Sequence, residues 1–260
     1  MIFYFSGTGN TLWAAEQLAQ ITGESLISIA DAMHMHQFEY TLQPDERIGF
    51  CFPVHGWQPP MIVRRFIRHL LIDKVEGHFC YAVCTCGDTV AKAINILQKE
   101  LGRKGLHAES CFSLIMPESY VALPLMDVDT KSNELRKKKE AADKLPDIAQ
   151  LIINRKRDVN QLTEGPIPYF FTYVIGHFFN RHMISDKPFR VDEDSCMKCG
   201  RCAHACPVGD IIGIKGEIPV WKHEPDLCTM CMTCYHHCPQ HAIQYGGRTK
   251  NKGQYFFNRK

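Results

Sequence analysis

The sequence predicts an α/β protein in which a doubly wound, five-stranded parallel sheet is followed by a smaller α+β domain. The first observation is that strand-like and helix-like runs alternate through residues 1–157, the pattern of a parallel sheet covered by helices. The second is that eight of the 13 cysteines fall between Cys196 and Cys238. The composition therefore changes abruptly along a chain that is long enough for one sizeable domain and a smaller one.

The elements of the first domain follow from apolar runs and helical periodicity. Strands are predicted at residues 2–5, 25–29, 47–52, 78–83 and 110–116. Helices are predicted at residues 12–21, 60–71, 89–101 and from about 129 to 154. Gly23 and Gly102 stand where helix C-caps are expected. Pro146 is expected to kink or divide the last helix, because proline cannot donate the backbone hydrogen bond there.

Four segments are expected from these elements and from the composition. They are a sheet domain at 1–157, a connector with one aromatic-rich helix at 158–190, a cysteine module at 191–245 and a basic tail at 246–260. The tail holds five basic residues and no acidic one. It is expected to be loosely packed, and docking to an acidic partner is the alternative.

Composition excludes several classes of protein. The net charge of +2 predicts neither nucleic acid nor a membrane as the main partner. A strand begins at Met1, so no targeting segment is expected, and the apolar stretch 166–184 is too short and too polar to span a bilayer. A cytoplasmic location is expected, where reduced thiols remain available as metal ligands.

The cysteines form an internal repeat. The run "CMKCGRCAHACP" at 196–207 is followed 32 residues later by "CTMCMTCYHHCP" at 228–239. Each is a C-x2-C-x2-C-x3-C-P run, in which three cysteines can wrap one face of a [4Fe-4S] cluster and the fourth reaches a second cluster. Zinc would need four ligands in two pairs and would leave the third cysteine and the proline without a role.

This spacing predicts a crossed set of cluster ligands. One cluster is expected on Cys196, Cys199, Cys202 and Cys238, and the other on Cys206, Cys228, Cys231 and Cys234. Over about 55 residues the segment resembles the bacterial two-cluster ferredoxins. The resemblance implies that residues 210–222, "DIIGIKGEIPVWK", form a β-hairpin that turns at Lys215-Gly216.

A loop rich in glycine and hydroxyl groups follows the first strand. "FSGTGNT" at residues 5–11 leads directly into a helix, so backbone N–H groups, hydroxyls and the positive helix end can converge on one anion. The loop lacks the lysine of nucleotide-binding P-loops and does not match G-x-G-x-x-G. Neutral donors suit a monophosphate, and a plain turn is the alternative.

The stretch "YFSGTGNTLWAAEQLA" at 4–19 resembles the amino terminus of the flavodoxins. The resemblance implies a flavodoxin-like fold over about 155 residues with strand order 2-1-3-4-5. It also implies that the loop binds the phosphate of FMN, through Ser6, Gly7, Thr8, Gly9, Asn10 and Thr11.

Two further loops match the family's flavin-ring loops by position. The expected ring contacts are Pro53, Val54, His55, Gly56, Trp57, Cys84, Thr85, Cys86, Gly87 and Asp88. Trp57 is expected to stack on the ring, with packing in a core or an interface as the alternative. The second loop departs from the family, where an aromatic residue is common. Cys84 and Cys86 are interpreted as buried thiols rather than as a redox pair.

The domain order resembles the flavodoxin–ferredoxin fusion proteins of anaerobic bacteria. The resemblance implies an electron-transfer protein that passes electrons between two [4Fe-4S] clusters, FMN and soluble redox partners. An FMN-dependent reductase of a small molecule is the main alternative, with His55, Glu118 and Tyr120 as candidate acid–base groups. A cluster-bearing sensor or assembly factor is a further alternative. No nicotinamide-binding domain is evident, so electrons are expected to arrive from another protein.

Overall fold

The computed structural model describes residues 1–258. Its strands are β1 Ile2–Tyr4, β2 Leu26–Ser28, β3 Glu39–Thr41, β4 Ile48–Pro53, β5 Leu71–Asp73, β6 Cys80–Cys86, β7 Ser110–Ile115, β8 Val159–Gln161, β9 Phe189–Val191, β10 Ile211–Ile212, β11 Val220–Trp221 and β12 Ile243–Tyr245. Its α-helices are α1 Asn10–Thr22, α2 Ile29–His34, α3 Met61–His69, α4 Ala93–Gly102, α5 Lys131–Ile153, α6 Pro168–Phe170, α7 Gly176–Phe178, α8 Arg201–Ala205 and α9 Thr233–His236.

A parallel sheet of six strands forms the centre of the first domain, in the order β2-β1-β4-β6-β7-β8. The central strands β4 and β6 are almost continuously apolar and buried, as strands covered on both faces must be. α1 and α5 contribute buried residues to the core on one face, and α2, α3 and α4 to the core on the other. The mixed α/β class and the mainly parallel sheet are confirmed.

The prediction of five strands was wrong in one respect, because the sheet has a sixth. β8 pairs with β7 through Ser110 and Val159, and it lies in the segment predicted as a connector. Its sequence, Val-Asn-Gln, has no apolar run, because an edge strand is covered on fewer sides than a central one. The sequence predicted that Pro146 would kink or divide the last helix. α5 runs through Pro146 as one undivided helix.

The cysteine module contains two small antiparallel sheets. β9 pairs with β12, and β10 pairs with β11 to form the hairpin predicted between the two repeats. Gly216 turns that hairpin with a φ of 99°, a conformation that only glycine adopts at little cost. The short helices α8 and α9 each carry the third cysteine of a repeat, Cys202 and Cys234.

The connector is helical from Pro168 to Met183. α6 and α7 alternate with two π-helical turns, Phe171–Ile175 and Phe179–Met183. The predicted aromatic helix therefore exists, with an unusual hydrogen-bond pattern. Within residues 1–258, no helix combines the length and the apolar character that crossing a membrane requires.

The tail does not have the loose packing expected of it. Tyr255 is only 4% exposed, and Lys252 donates a hydrogen bond from Nζ to the Val121 carbonyl (2.8 Å). The backbone N–H of Gly253 donates to Asp127 Oδ1 (2.8 Å). The side chain of Tyr255 is buried and those of Phe256 and Phe257 are partly buried, whereas the number of basic residues had suggested a solvated segment. Residues 259 and 260 of the predicted tail lie outside the described part.

A buried carboxylate links α3 to α4. Glu100 accepts hydrogen bonds from Arg68 Nη2 (2.6 Å), Arg64 Nε (3.3 Å) and Arg103 Nη1 (2.7 Å). Burial opposes the ionisation of Glu100, but the hydrogen bonds and charges of Arg68 and Arg64 outweigh it and lower the pKa to about 2.

Glu100→Gln is expected to lower the free energy of unfolding by about 2 kcal/mol at pH 7, because the buried side chain loses its charge-assisted hydrogen bonds to three partly exposed arginines. Since the pKa is lower in the folded state, this stabilisation is present above the unfolded pKa of 4.5 and is lost as the pH falls towards 2. Anaerobic urea unfolding of both proteins at pH 7 and pH 5 should give the same difference. Glu140→Gln, in the exposed Arg136–Glu140 pair, is the control and should change little. An equally small effect of Glu100→Gln would contradict the expectation.

Candidate functional site

A large cavity lies at the carboxyl ends of β1, β4, β6 and β7, where parallel α/β sheets bind ligands. It encloses about 1190 Å³ of free space, its open mouth included. The structure brings together the three predicted loops and adds a fourth, residues 117–120, after β7.

The first loop presents neutral hydrogen-bond donors to this cavity. Ser6 Oγ is buried and has no hydrogen-bond partner among residues 1–258. Gly9, with a φ of 93°, is the N-cap of α1 and supplies no capping side chain, so the first N–H groups of that helix remain available for an anion. None of the described lining residues is a lysine or an arginine. An orphaned hydroxyl and a helix N-terminus fit a phosphate group held without a cation.

Other side chains of the loop are already paired within the protein. Thr8 Oγ1 donates to Ser119 Oγ (3.2 Å), and Asn10 Nδ2 donates to the Pro117 carbonyl (3.0 Å). The hydroxyls of Thr11 and Thr85 lie 2.8 Å apart. These bonds fix the first loop and the start of α1 against the end of β6 and the loop after β7. Of the predicted set, Ser6, Gly7, Thr8, Asn10 and Thr11 line the cavity, whereas Gly9 does not.

Trp57 lines the cavity and also packs against the connector. Its Nε1 donates to Thr89 Oγ1 (3.3 Å), and its ring centroid lies 4.8 Å from that of Phe171. The adjacent Gly56 has a φ of 52°, and a Cβ placed there would collide with Phe179. Trp57 therefore packs at an interface with the connector, which was the alternative to stacking on a flavin ring. The connector also forms one edge of the cavity.

His55 faces the cavity as a neutral imidazole. Burial lowers its pKa to about 4, although a hydrogen bond to the backbone of Thr229 opposes this shift. Its Nδ1 has no hydrogen-bond partner among residues 1–258. The ring can therefore serve as a neutral polar contact near pH 7 and not as a cation.

The second predicted ring loop is only partly at the cavity. Thr85, Cys86, Gly87 and Asp88 line it, but Cys84 does not, since its side chain lies in the core and its Sγ donates to the Phe112 carbonyl (3.4 Å). Burial raises the pKa of Cys86 to about 12 and that of Cys84 well above its usual value. Both groups are protonated thiols, in agreement with the interpretation as buried cysteines.

The fourth loop carries a carboxyl group beside the cavity. Glu118 Oε1 accepts hydrogen bonds from the backbone N–H groups of Ser119 (2.9 Å) and Tyr120 (2.8 Å), while burial raises the pKa of this carboxyl group. A Cβ placed at Gly87 would collide with the Glu118 carboxylate, so a larger residue there would require that carboxylate to move. Sequence reasoning named Glu118 and Tyr120 only as candidate acid–base groups, because their loop carries no glycine signature.

The cysteine module contributes directly to the cavity wall, through Thr229, Met230 and Cys231. A Cβ placed at Gly7 would lie only 2.8 Å from Cys231 Cβ, so the first loop and the second cysteine repeat are in direct contact. Tyr120 OH lies 3.6 Å from Met230 Sδ across the same boundary. No local sequence signal marks this contact, because it arises from the docking of two modules.

Two smaller cavities in the cysteine module are lined by the crossed sets of cysteines. Cys196, Cys199, Cys202 and Cys238 line a cavity with about 330 Å³ of free space, and Cys206, Cys228, Cys231 and Cys234 line one with about 280 Å³, the open mouths included. All eight are free thiols. Within residues 1–258, no group of three or more His, Cys, Asp or Glu side chains is arranged to hold a single metal ion.

Backbone N–H groups point at several of these sulfurs. Asp210 N lies 3.4 Å from Cys206 Sγ, Met230 N lies 3.4 Å from Cys228 Sγ, and Ala242 N lies 3.2 Å from Cys238 Sγ. Such donors stabilise thiolates and tune the potential of a cluster that they hold. The donor set therefore fits an iron–sulfur cluster in each cavity.

Comparison with known proteins gives low overall similarity. No curated protein matches the chain by sequence. The Trp repressor binding protein from Bacillus subtilis aligns over 56% of this chain and 95% of its own, with 13% identity and a TM-score of 0.34. Rubredoxin oxygen:oxidoreductase from the anaerobe Desulfovibrio gigas aligns over 59% of this chain and 36% of its own, with 15% identity and a TM-score of 0.32.

The cysteine module has a clear match. Residues 185–243 match the family model of the 4Fe-4S dicluster domain. This match covers both cysteine repeats and begins just before β9, the strand that closes the module onto β12. Residues 185–243 are therefore a 4Fe-4S domain, and electron transfer is the chemistry that it indicates.

Proposed function

We propose that the chain is an electron-transfer protein that holds FMN in the large cavity and one [4Fe-4S] cluster in each cysteine cavity. It would pass electrons between these groups and soluble redox partner proteins of the cytoplasm. The observation that carries the proposal is the position of Cys231, which lines both the large cavity and one of the cysteine cavities. A flavin and a cluster bound at these sites would lie side by side.

The flavin site is proposed from the lining residues. Ser6 and the first N–H groups of α1 would hold the phosphate, because they are neutral donors at a positive helix end. Trp57 and the backbone of residues 85–88 would flank the ring system. Bound FMN supplies one- and two-electron chemistry, while the protein fixes its position and limits access of water.

The two clusters would occupy different positions relative to the flavin. We term the cavity of Cys206, Cys228, Cys231 and Cys234 the inner cluster site, and that of Cys196, Cys199, Cys202 and Cys238 the outer cluster site. The outer site reaches the surface beside Met197, which is 58% exposed. A partner protein would exchange electrons there, and the inner site would connect it to the flavin.

Limited reduction of the FMN-loaded protein tests this proposal. Under strict anaerobiosis, the protein is mixed rapidly with substoichiometric dithionite. Once the dithionite is consumed, electrons should redistribute from the clusters to the flavin, and bleach its absorbance, with a rate constant that does not depend on protein concentration. Such a first-order rate is expected because the inner site and the flavin cavity share Cys231 within one molecule. A rate that rises in proportion to protein concentration would mean that electrons cross between molecules, which would contradict the proposed pathway.

A further inference from the structure

The last described residues form a strap over the first loop. We use the name C-terminal strap for residues 252–257, which follow the cysteine module and return to the sheet domain. Nothing in the proposed electron pathway uses them. Their side chains and backbone nevertheless join two parts of the molecule that both belong to the proposed cofactor sites.

One end of the strap is anchored on the second cysteine repeat. Tyr235 OH lies 2.8 Å from the Lys252 carbonyl, and Gln254 Nε2 donates to the carbonyls of Tyr235 (2.6 Å) and Cys238 (2.8 Å). The backbone N–H of Tyr255 lies 3.1 Å from Nδ1 of His236. The strap is therefore held by the same helix and turn that present Cys234 and Cys238.

The other end contacts the first loop directly. Tyr255 OH donates to Asn10 Oδ1 (2.6 Å), and the backbone N–H of Phe257 donates to the Thr8 carbonyl (2.7 Å). A Cβ placed at Gly9 would lie 2.9 Å from Phe257 Cβ, so glycine permits this close approach. The Phe257 ring stacks on Trp13 of α1 at 5.4 Å.

Asn10 is consequently held from two sides. Its Nδ2 donates to the Pro117 carbonyl and its Oδ1 accepts from Tyr255, and both bonds are buried. Asn10 is the first residue of α1, so the two bonds anchor the start of that helix, where its first N–H groups lie. Those N–H groups are the donors assigned above to a phosphate.

We propose that Tyr255 is a positioning residue for the phosphate site, which it orders through Asn10 without touching the ligand itself. The inference rests on the proposed binding of FMN at this loop. It predicts that the strap affects recognition of the phosphate and leaves recognition of the flavin ring unchanged, because Tyr255 forms hydrogen bonds with His236 and Asn10 and, within residues 1–258, with neither ring loop. The C-terminal strap would therefore tie phosphate binding to the folded cysteine module.

The test compares FMN with riboflavin, which lacks the phosphate. Flavin-stripped protein with its clusters intact is titrated anaerobically with each flavin, and binding is followed by the loss of flavin fluorescence. Tyr255→Phe should weaken FMN binding about tenfold, the effect of losing one buried hydrogen bond, and should leave riboflavin binding unchanged. Tyr173→Phe, at an exposed position on the connector, is the matched control.

Three outcomes would overturn the inference. If Tyr255→Phe weakens both flavins equally, the residue has only a general structural role. If it changes neither affinity, the bond to Asn10 does not order the phosphate site. If the unaltered protein binds FMN no more tightly than riboflavin, the phosphate site itself is absent, and the inference fails together with the proposed function. Iron content, measured for each variant, should equal that of the unaltered protein.

Discussion

Cys206→Ala is expected to abolish reduction of the flavin by the clusters, although Cys206 belongs to the first cysteine repeat. The reason is the crossed arrangement, which places Cys206 with Cys228, Cys231 and Cys234 around the inner cluster site. That site adjoins the flavin cavity through Cys231. Loss of one of four thiolate ligands should remove the inner cluster and roughly half of the iron.

Cys238→Ala is the matched variant, since it changes the corresponding cysteine of the second repeat. It should remove the outer cluster and a similar share of the iron, yet leave the inner cluster next to the flavin. Iron analysis and the rate of anaerobic flavin bleaching, measured on both variants, separate the two arrangements. If Cys206→Ala retained rapid bleaching and Cys238→Ala lost it, the proposed positions of the two clusters would be reversed.

Gly7→Ala is expected to disrupt the contact between the flavin cavity and the inner cluster site. The added Cβ would lie 2.8 Å from Cys231 Cβ and 3.2 Å from Thr233 Oγ1, so either the first loop or the cysteine segment must move. Overpacking of this kind costs about 1–3 kcal/mol. FMN affinity should therefore fall by about tenfold to a hundredfold, and flavin bleaching should slow.

The control for this variant is Gly102→Ala at the end of α4. No atom lies within 4 Å of a Cβ placed there, and its backbone needs no glycine conformation. It should leave FMN affinity and bleaching rate unchanged. If Gly7→Ala and Gly102→Ala bound FMN with the same affinity, the close approach of the first loop to Cys231 would not be needed for FMN binding.

The sequence predicted the cysteine sites more completely than the flavin site, because the pattern that marks them lies within short stretches of the chain. Three cysteines at two-residue spacing and a fourth before proline leave few ways to arrange the sulfurs, so the predicted crossed sets coincide with the two cavities. The ligand sets themselves remain a prediction until a cluster is measured. By contrast, Cys84 was assigned to a ring loop although it ends in the core, because a strand boundary cannot be read to within two residues.

The sequence alone could not predict contacts between segments that lie far apart along the chain. The approach of Gly7 to Cys231 and the bond between Tyr255 and Asn10 join residues more than 200 positions apart. Neither contact produces periodicity or a motif, because each depends on how two finished modules pack. The strap was missed for a related reason, since the five basic residues of the predicted tail suggested solvation while Tyr255 and Phe257 provide the packing.

The most direct test of the proposed function is an analysis of iron, acid-labile sulfide and flavin in one anaerobically purified sample. Two [4Fe-4S] clusters and one FMN correspond to about eight irons, eight sulfides and one flavin per chain, and this is the expected result. Added FMN should complete any deficit of flavin. Eight irons with no FMN bound, and none taken up on addition, would contradict the proposal that the large cavity beside Cys231 is a flavin site.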